Sequence, residues 1–451
     1  MEASPAVDAR ARAAAAKALR ERIPRSSHGS WSAPADRPDP VETLEAAAAG
    51  RIPELLPIRN ERMSVSPFAF FRGAAAVMAA DLADTPRTGI EVQLCGDAHC
   101  LNFGGFATPE RNLIFDINDF DESLPGPWEW DVKRLAVSLM LAARELKLKD
   151  GAAKVVVLAA VRSYRLRMAA CATLPALDVW YARIDEDVVV ASSADPAARK
   201  RRESMAQHAR DNTAQHALEK LTEVVDGTRR FRDDPPLLYH PRELADGRLD
   251  MQALFDGYAA SLRPDVRELF GRYRLIDAVI KVVGVGSVGT RCGVALFQAD
   301  GDDSLLLQVK EATASVLERH LAPSVCANHG ERVVRGQRIM QSASDVLLGW
   351  ASLAGRDFYV RQFRDMKGSA DIDVMDGDQL REYGEFCAWA LANAHARSGD
   401  PVAIAGYLGK GDTFDKALVA FSEQYADQSE SDYARFVEAV KSDKIPHESL
   451  I

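Results

Sequence analysis

The sequence predicts an α+β fold in two lobes, a larger helical lobe and a small antiparallel β lobe, on three observations. Apolar residues recur with helical period towards both ends of the chain, through much of Pro67 to Val225 and again from Gln379 to Val440. Between these stretches lie short β-rich runs, Val279–Val283, Gly293–Phe297, Leu305–Val309 and Phe358–Phe363, with Ala299-Asp300-Gly301-Asp302 as a hairpin turn. A chain of 451 residues also exceeds what one ordinary core spans.

Taken in order, residues 1–62 read as an amphipathic arm without a core, an Arg/Ala helix followed by turns at Pro34, Pro38 and Pro40. Residues 63–272 form the helical lobe. Pro67 suits the first turn of a helix running to Leu82, with Phe68, Phe71, Ala75 and Met78 at helical spacing. Two short strands, Ile90–Leu94 and Asn112–Ile117, are expected to form one hairpin, the first ending at Gly96-Asp97 and the second in the acidic run Asp116–Glu122. Helices follow over Trp130–Leu146, Ala152–Leu174 and Asp195–Val225. Residues 273–370 form the β lobe, interrupted by a helix over Glu331–Ser344, and residues 371–451 return helices to the helical lobe.

Hydrophobic residues make up 47% and charged residues 27%, the balance of a globular protein with a large interior, and no apolar run is long enough to cross a bilayer. The net charge of −10 offers no excess of cations for sequence-independent nucleic-acid binding, and Arg199-Lys200-Arg201-Arg202 reads as a solvated helix face. Six cysteines without Cys-x-x-Cys spacing point to a reducing compartment, and Arg12 and Lys17 break the only N-terminal alanine run, so a cytoplasmic protein is expected.

Candidate chemistry starts at Gly96-Asp97-Ala98-His99-Cys100-Leu101-Asn102. Phosphoryl transfer needs a carboxylate beside the accepting hydroxyl and oxygen ligands for the metal ions that neutralise phosphate. Gly96 permits a tight bend after the strand, and Asn102 lies five residues beyond Asp97, so one loop can aim both side chains at a common point. Asp97 is the candidate catalytic residue, and Asn102 and Asp119 are the candidate metal ligands, with Asp116 and Asp121 as alternatives. His99 reads as a loop residue bonded to backbone.

Gly96-Asp97-x-His99-x-x-Asn102 resembles the catalytic loop of aminoglycoside and choline phosphotransferases, the small-molecule branch of the protein-kinase-like fold. Ile117-Asn118-Asp119-Phe120 is similar to that branch's metal-binding segment, and Trp130-Asp131-x-x-x-Leu135-Ala136 to the helix start that braces its loop, where Asp131 would be structural. Cys95 stands where the pattern usually has His.

Further along, Gly284-Val285-Gly286-Ser287-Val288-Gly289 carries Gly-x-Gly-x-x-Gly. A dinucleotide-binding turn should open a helix, but Thr290–Phe297 is strand-like, which favours a strand-loop-strand flap over phosphates through Gly284, Gly286, Ser287 and Gly289. Lys310 ends the next apolar strand, where kinases place the lysine that reaches nucleotide phosphates, and Glu331 on the following helix is its chosen partner, with Glu311 and Glu318 closer in sequence and Gln337 further along the helix as alternatives. Glycine loop and lysine follow the catalytic loop, so the resemblance implies a circularly permuted protein-kinase-like fold.

Nearly the whole chain, including Arg59-x-x-Arg62-Met63 and Ser66–Gly73, also resembles the bacterial domain-of-unknown-function family numbered 2252. The expected activity is ATP- and Mg²⁺-dependent phosphoryl or nucleotidyl transfer to a small-molecule acceptor, with a protein acceptor left open. The rival readings are a metal-dependent phosphoesterase using Asp97, His99, Asn102 and Asp119, and a nucleotide-binding pseudokinase without turnover.

Overall fold

The computed structural model describes residues 8–192, 196–211, 213–241, 250–282, 284, 286, 288–363, 366 and 368–447. Asp195, Ser287, Arg364, Asp365 and Lys367 lie outside them. The fold is α+β, a helical mass with several small antiparallel sheets.

The helical mass is organised around Trp128–Glu145, whose residues from Trp128 to Ala143 are all buried. A helix buried on every side must be surrounded, and three others do so: Asp150–Cys171, Gly377–Ser398 and Thr413–Lys441. The first two of these pack most extensively on each other, through small residues such as Ala160 and Gly384. The buried helix also carries Glu129, Asp131, Lys133 and Arg134 inside the protein, and each has a partner there.

The largest sheet has six antiparallel strands in the order Gly349–Leu353, Arg356–Gln362, Ser304–Ala312, Cys292–Gln298, Arg274–Lys281 and Leu238–Tyr239. Both faces are covered, which is why the strands carry short apolar runs such as Val294–Phe297 and Leu305–Leu307 instead of a strict alternation. Helices Met251–Ser261 and Pro264–Phe270 pack on Ala295, Phe297, Leu307 and Val309. Ala217, Leu218 and Phe231 pack on Val294, Leu296 and Leu306. The two-residue period puts Gln308 and Lys310 on the same face as Leu306, beyond the reach of that second cluster.

Several expectations are corrected. Ile90–Leu94 and Asn112–Ile117 do not form one hairpin: Glu91–Leu94 pairs with Leu124–Pro127, and Leu113–Ile117 pairs with Phe103–Ala107. Both missed strands are rich in Gly or Pro, which hides them from β-propensity. The helix from Pro67 breaks at Ala74 into Pro67–Gly73 and Ala75–Leu82, where Gly73 sits against the Met63 side chain. The stretch up to Val225 divides into Pro196–Asp211, Ala214–Leu221 capped by Thr213, and a strand Thr222–Val225 that pairs with Thr228–Phe231.

The segment before residue 63 is no coreless arm. Helix Ala9–Arg22 packs on Pro401–Leu408, and Val41 and Leu44 join a core with Met63, Phe70 and Phe436. Leu55 and Ile58 pack on Val282 and Val288, bringing this segment against the glycine-rich loop.

Candidate functional site

The strand Glu91–Leu94 ends in a bend that only glycine permits. Gly96 has φ +80°, and a Cβ there would stand 2.3 Å from the Glu122 carbonyl oxygen. The bend leaves two buried backbone donors, and Asp131 takes both: Cys95 N–H at 2.7 Å and Gly96 N–H at 3.0 Å. Asp131 is in turn 3.2 Å from His395 Nε2, whose Nδ1 lies 2.8 Å from the Tyr164 hydroxyl.

Three residues along the same helix, Arg134 donates from Nε to Asp97 Oδ1 at 2.5 Å and from Nη2 to the Phe71 carbonyl at 3.0 Å. Asp131 and Arg134 thus share the helix face that supports the loop. Burial raises the Asp97 pKa, opposed by Arg134 and then Arg72. Asn102 donates from Nδ2 to the Asp97 carbonyl at 2.7 Å and accepts Asn118 N–H on its own carbonyl at 2.8 Å, so it ties the loop to the acidic segment. His99 is buried, its Nε2 lies 3.8 Å from Asp97 Oδ2, and its Nδ1 has no hydrogen-bond partner among the described residues. Burial holds its pKa well below the usual range, so the imidazole is neutral.

The acidic segment meets the six-stranded sheet at Lys310. Its ammonium donates to Asp121 Oδ2 at 2.6 Å and stands 3.6 Å from Asp119 Oδ1. Tyr359, directly across the ladder from Lys310, donates its hydroxyl to Asp121 Oδ1 at 2.6 Å. Burial opposes ionisation of both groups of the pair, but attraction prevails: Lys310 holds the Asp121 carboxyl below its usual range, and Asp119 followed by Asp121 holds Lys310 well above its own. The Asp119 carboxyl is shifted the other way, raised by burial and by Asp121 beside it. Arg361 completes this wall, donating to Gln308 Oε1 at 3.0 Å and to the Asn118 carbonyl at 3.1 Å.

The expected partner of Lys310 is corrected here. Glu331 pairs with Arg335 at 2.6 Å, one turn along helix His329–Met340. That helix supports the site through the next residue: Arg332 donates to the carbonyls of Ser123 at 2.6 Å and of Asp121 and Thr313 at 2.8 Å. With Asp121 already beside Lys310, a glutamate on the helix is not needed to hold the ammonium.

The glycine-rich loop is held by its carbonyls. Arg62 donates to Gly284 O at 2.5 Å, Arg51 to Gly286 O at 2.7 Å and Val288 O at 2.5 Å, and Ile52 N–H to Gly289 O at 2.7 Å. Gly284 and Gly289 have φ of +67° and +88°, which explains glycine at both positions.

Between the sheet and the helical mass lies a cavity of about 1430 Å³. Gly284, Lys310, Asp119, Asn118, Gln308, Gln337 and Arg361 line it. Lys310, Gly284 and Asp119, predicted as functional from distant parts of the sequence, all line it, whereas Asp97, Asn102, Gly286 and Gly289 do not; Asp97 and Asn102 connect to it through the Asn102–Asn118 hydrogen bond. The residues fit a hard cation in one respect: Asp119 is about one-third exposed (32%), beside further oxygen donors on Asn118 and Asp121. Among the described residues no three His, Cys, Asp or Glu side chains converge as a complete metal site. An ion here would therefore draw its other ligands from water and phosphate, as Mg²⁺ commonly does. Sequence reasoning assigned no role to Arg134, Tyr359, Arg361, Arg51 or Arg62, although Arg62 stood in the Arg59-x-x-Arg62-Met63 motif and Arg134, three residues after Asp131, carried a local signal.

Residues 51–439 match the family described as an uncharacterized protein conserved in bacteria (DUF2252), and the chain belongs to it. The match opens at Arg51, the arginine that holds the glycine-rich loop. No curated protein and no solved structure matches the chain.

Proposed function

We propose that this member of the DUF2252 family is an ATP-dependent phosphotransferase, kinase-like in its site, with the glycine-loop lobe placed after the catalytic loop in the chain. One observation carries the reading: Lys310, on the second strand after the glycine-rich loop, reaches Asp121, 189 residues away in sequence, and Asp119 at the wall of a cavity large enough for a nucleotide. Gly284, Gly286 and Gly289 would lie over the phosphates, and Lys310 would pair with them in place of Asp121 as nucleotide enters. Asp119 and the amide oxygen of Asn102 would hold Mg²⁺, which supplies neutralisation of phosphate oxygens. Asp97 would accept the proton of the acceptor hydroxyl, its basicity enhanced by burial and its direction set by Arg134. An acceptor of small-molecule size suits a chain of net charge −10.

The Arg134–Asp97 ion pair favours a second reading, a nucleotide-binding protein without turnover, because a carboxylate held by a guanidinium is a weaker base. One experiment separates the two. Thermal shift with ATP and Mg²⁺ against Mg²⁺ alone reports binding, and labelled ATP with a cell extract reports transfer. Binding and transfer, the latter abolished in Asp97→Ala and Asp119→Ala, support the first reading; binding without transfer supports the second. Absence of a nucleotide-dependent shift overturns both.

A further inference from the structure

We infer that Arg361 binds a phosphoryl group at the sheet wall of the cavity, with Lys310 beside it as the second cation of the seat. This deepens the phosphotransferase reading and rests on it for the kind of anion.

The strand ladder places the two cations. Gln308 lies directly across from Arg361 and Lys310 directly across from Tyr359. With a two-residue period all four side chains share one face of the sheet, and Lys310 and Arg361 are diagonal neighbours on it. Gln308, Lys310 and Arg361 all line the cavity, as does Gly284 of the glycine-rich loop. Both charges act on Asp119 and on Asp121, and that of Arg361 acts on Lys310 itself, so the two cations stand around one acidic pair.

The two differ in what they have free. The Lys310 side chain is 3% exposed and already donates to Asp121, so it becomes available only as Asp121 gives way. Arg361 is half-buried and makes no ion pair among the described residues; its hydrogen bonds go to neutral acceptors, from Nε to Gln308 Oε1 at 3.0 Å and from Nη1 to the Asn118 carbonyl at 3.1 Å. No described residue bonds its Nη2, and that nitrogen is not enclosed by protein, so it opens on the cavity that Arg361 lines. An arginine placed only to neutralise the acidic pair would bond a carboxylate, and this one does not. Gln308 on the sheet and Asn118 on the acidic segment hold the guanidinium plane without neutralising it, which leaves a fixed charge with donors for phosphate oxygens. Arg361 is therefore the cation that an incoming phosphate meets first, and Lys310 joins it once Asp121 is displaced.

The test is calorimetry on the full chain with Mg²⁺, using inorganic pyrophosphate and ATP as separate probes. Both affinities are expected to fall at least about tenfold in Arg361→Gln, less in Arg361→Lys, and not at all in Arg144→Gln, whose ion pairs lie elsewhere. The loss of affinity with added salt should be shallower in Arg361→Gln and kept in Arg361→Lys, a readout that a merely structural arginine would not move. The wild type gives a measurement independent of any variant: phenylglyoxal, mapped by mass spectrometry, is expected to modify Arg361, and pyrophosphate to slow that modification. Pyrophosphate binding through Arg361 without ATP binding supports the anion seat and counts against the nucleotide. ATP binding of equal affinity in wild type and Arg361→Gln overturns the seat and leaves the phosphotransferase reading standing. Binding of neither probe by the wild type, or modification of Arg361 that pyrophosphate does not slow, also overturns the proposal.

Discussion

Replacing Asp131 with alanine removes the acceptors of two backbone N–H groups, those of Cys95 and Gly96, at a position 1% exposed. Water cannot reach them, so each orphaned donor costs about 1–3 kcal/mol, and the pair about 2–6 kcal/mol. This is a large part of a typical stability of about 5–15 kcal/mol. Asp131→Asn keeps one oxygen and turns an NH₂ group towards the other donor, so it should lose about half as much. His395→Ala removes the 3.2 Å contact at Oδ2, orphans the buried Tyr164 hydroxyl and empties the space of a fully buried ring, so it should also lose stability, but with the Cys95 and Gly96 amides still held by Asp131. Urea unfolding orders the three variants, and amide exchange at Cys95 and Gly96 shows whether the loss is local. If Asp131→Ala falls within about 0.5 kcal/mol of the wild type with both amides still protected, the brace is not what holds this loop.

Lys310→Met takes the ammonium from Asp121, whose side chain is about one-third exposed (31%) and keeps the Tyr359 hydroxyl, and is expected to destabilise the protein by about 1.5–3 kcal/mol, read by denaturant titration, and to remove the ATP-dependent thermal shift. Gly96→Ala must take φ +80° and meet the Glu122 carbonyl, so it should unfold at least about 2 kcal/mol more easily and lose transfer activity together with Asp97→Ala. His28 is fully buried 2.8 Å from the Tyr407 hydroxyl, and burial followed by Lys133 lowers its pKa to about 3. The unfolded chain takes up this proton near pH 6.5 and the folded one does not, so the stability is complete above about pH 6.5 and is lost as pH falls towards the folded value. His28→Phe, which keeps the ring against Phe414, is expected to show a shallower loss of stability with acid over that range than the wild type. Equal slopes would place the acid sensitivity elsewhere.

How much of this was legible depends on the range of each interaction. The loop at Gly96–Asn102, the acidic run and the glycine-rich loop are local turn chemistry, written in consecutive residues, and they stand out in the sequence for that reason. The long helices are legible through their period, and the four central strands as short runs rich in β-formers. Helix breaks at Ala74 and Thr213 were not, because close packing on Met63 and a capping hydroxyl decide them. Strand Phe103–Ala107 was hidden because Gly104 is selected by the close approach of the Gly368 carbonyl and the Asn118 side chain, not by β-propensity.

Partnership is where sequence order misled. A lysine followed by a helix suggested Glu331, yet the carboxylate that meets Lys310 is Asp121, which lies far earlier in the chain but is carried to the sheet by the segment that Arg332 clamps. The sequence by itself determined which residue types are present for acid, amide and cation chemistry, and that Gly96 must bend. Only the tertiary structure decided who meets whom: Asp97 with Arg134, Asp121 with Lys310 and Tyr359, and the glycine-rich loop with Arg51 and Arg62. Periodicity reports which face of an element is buried, whereas a contact between distant segments is set by how those faces pack, which no local pattern records.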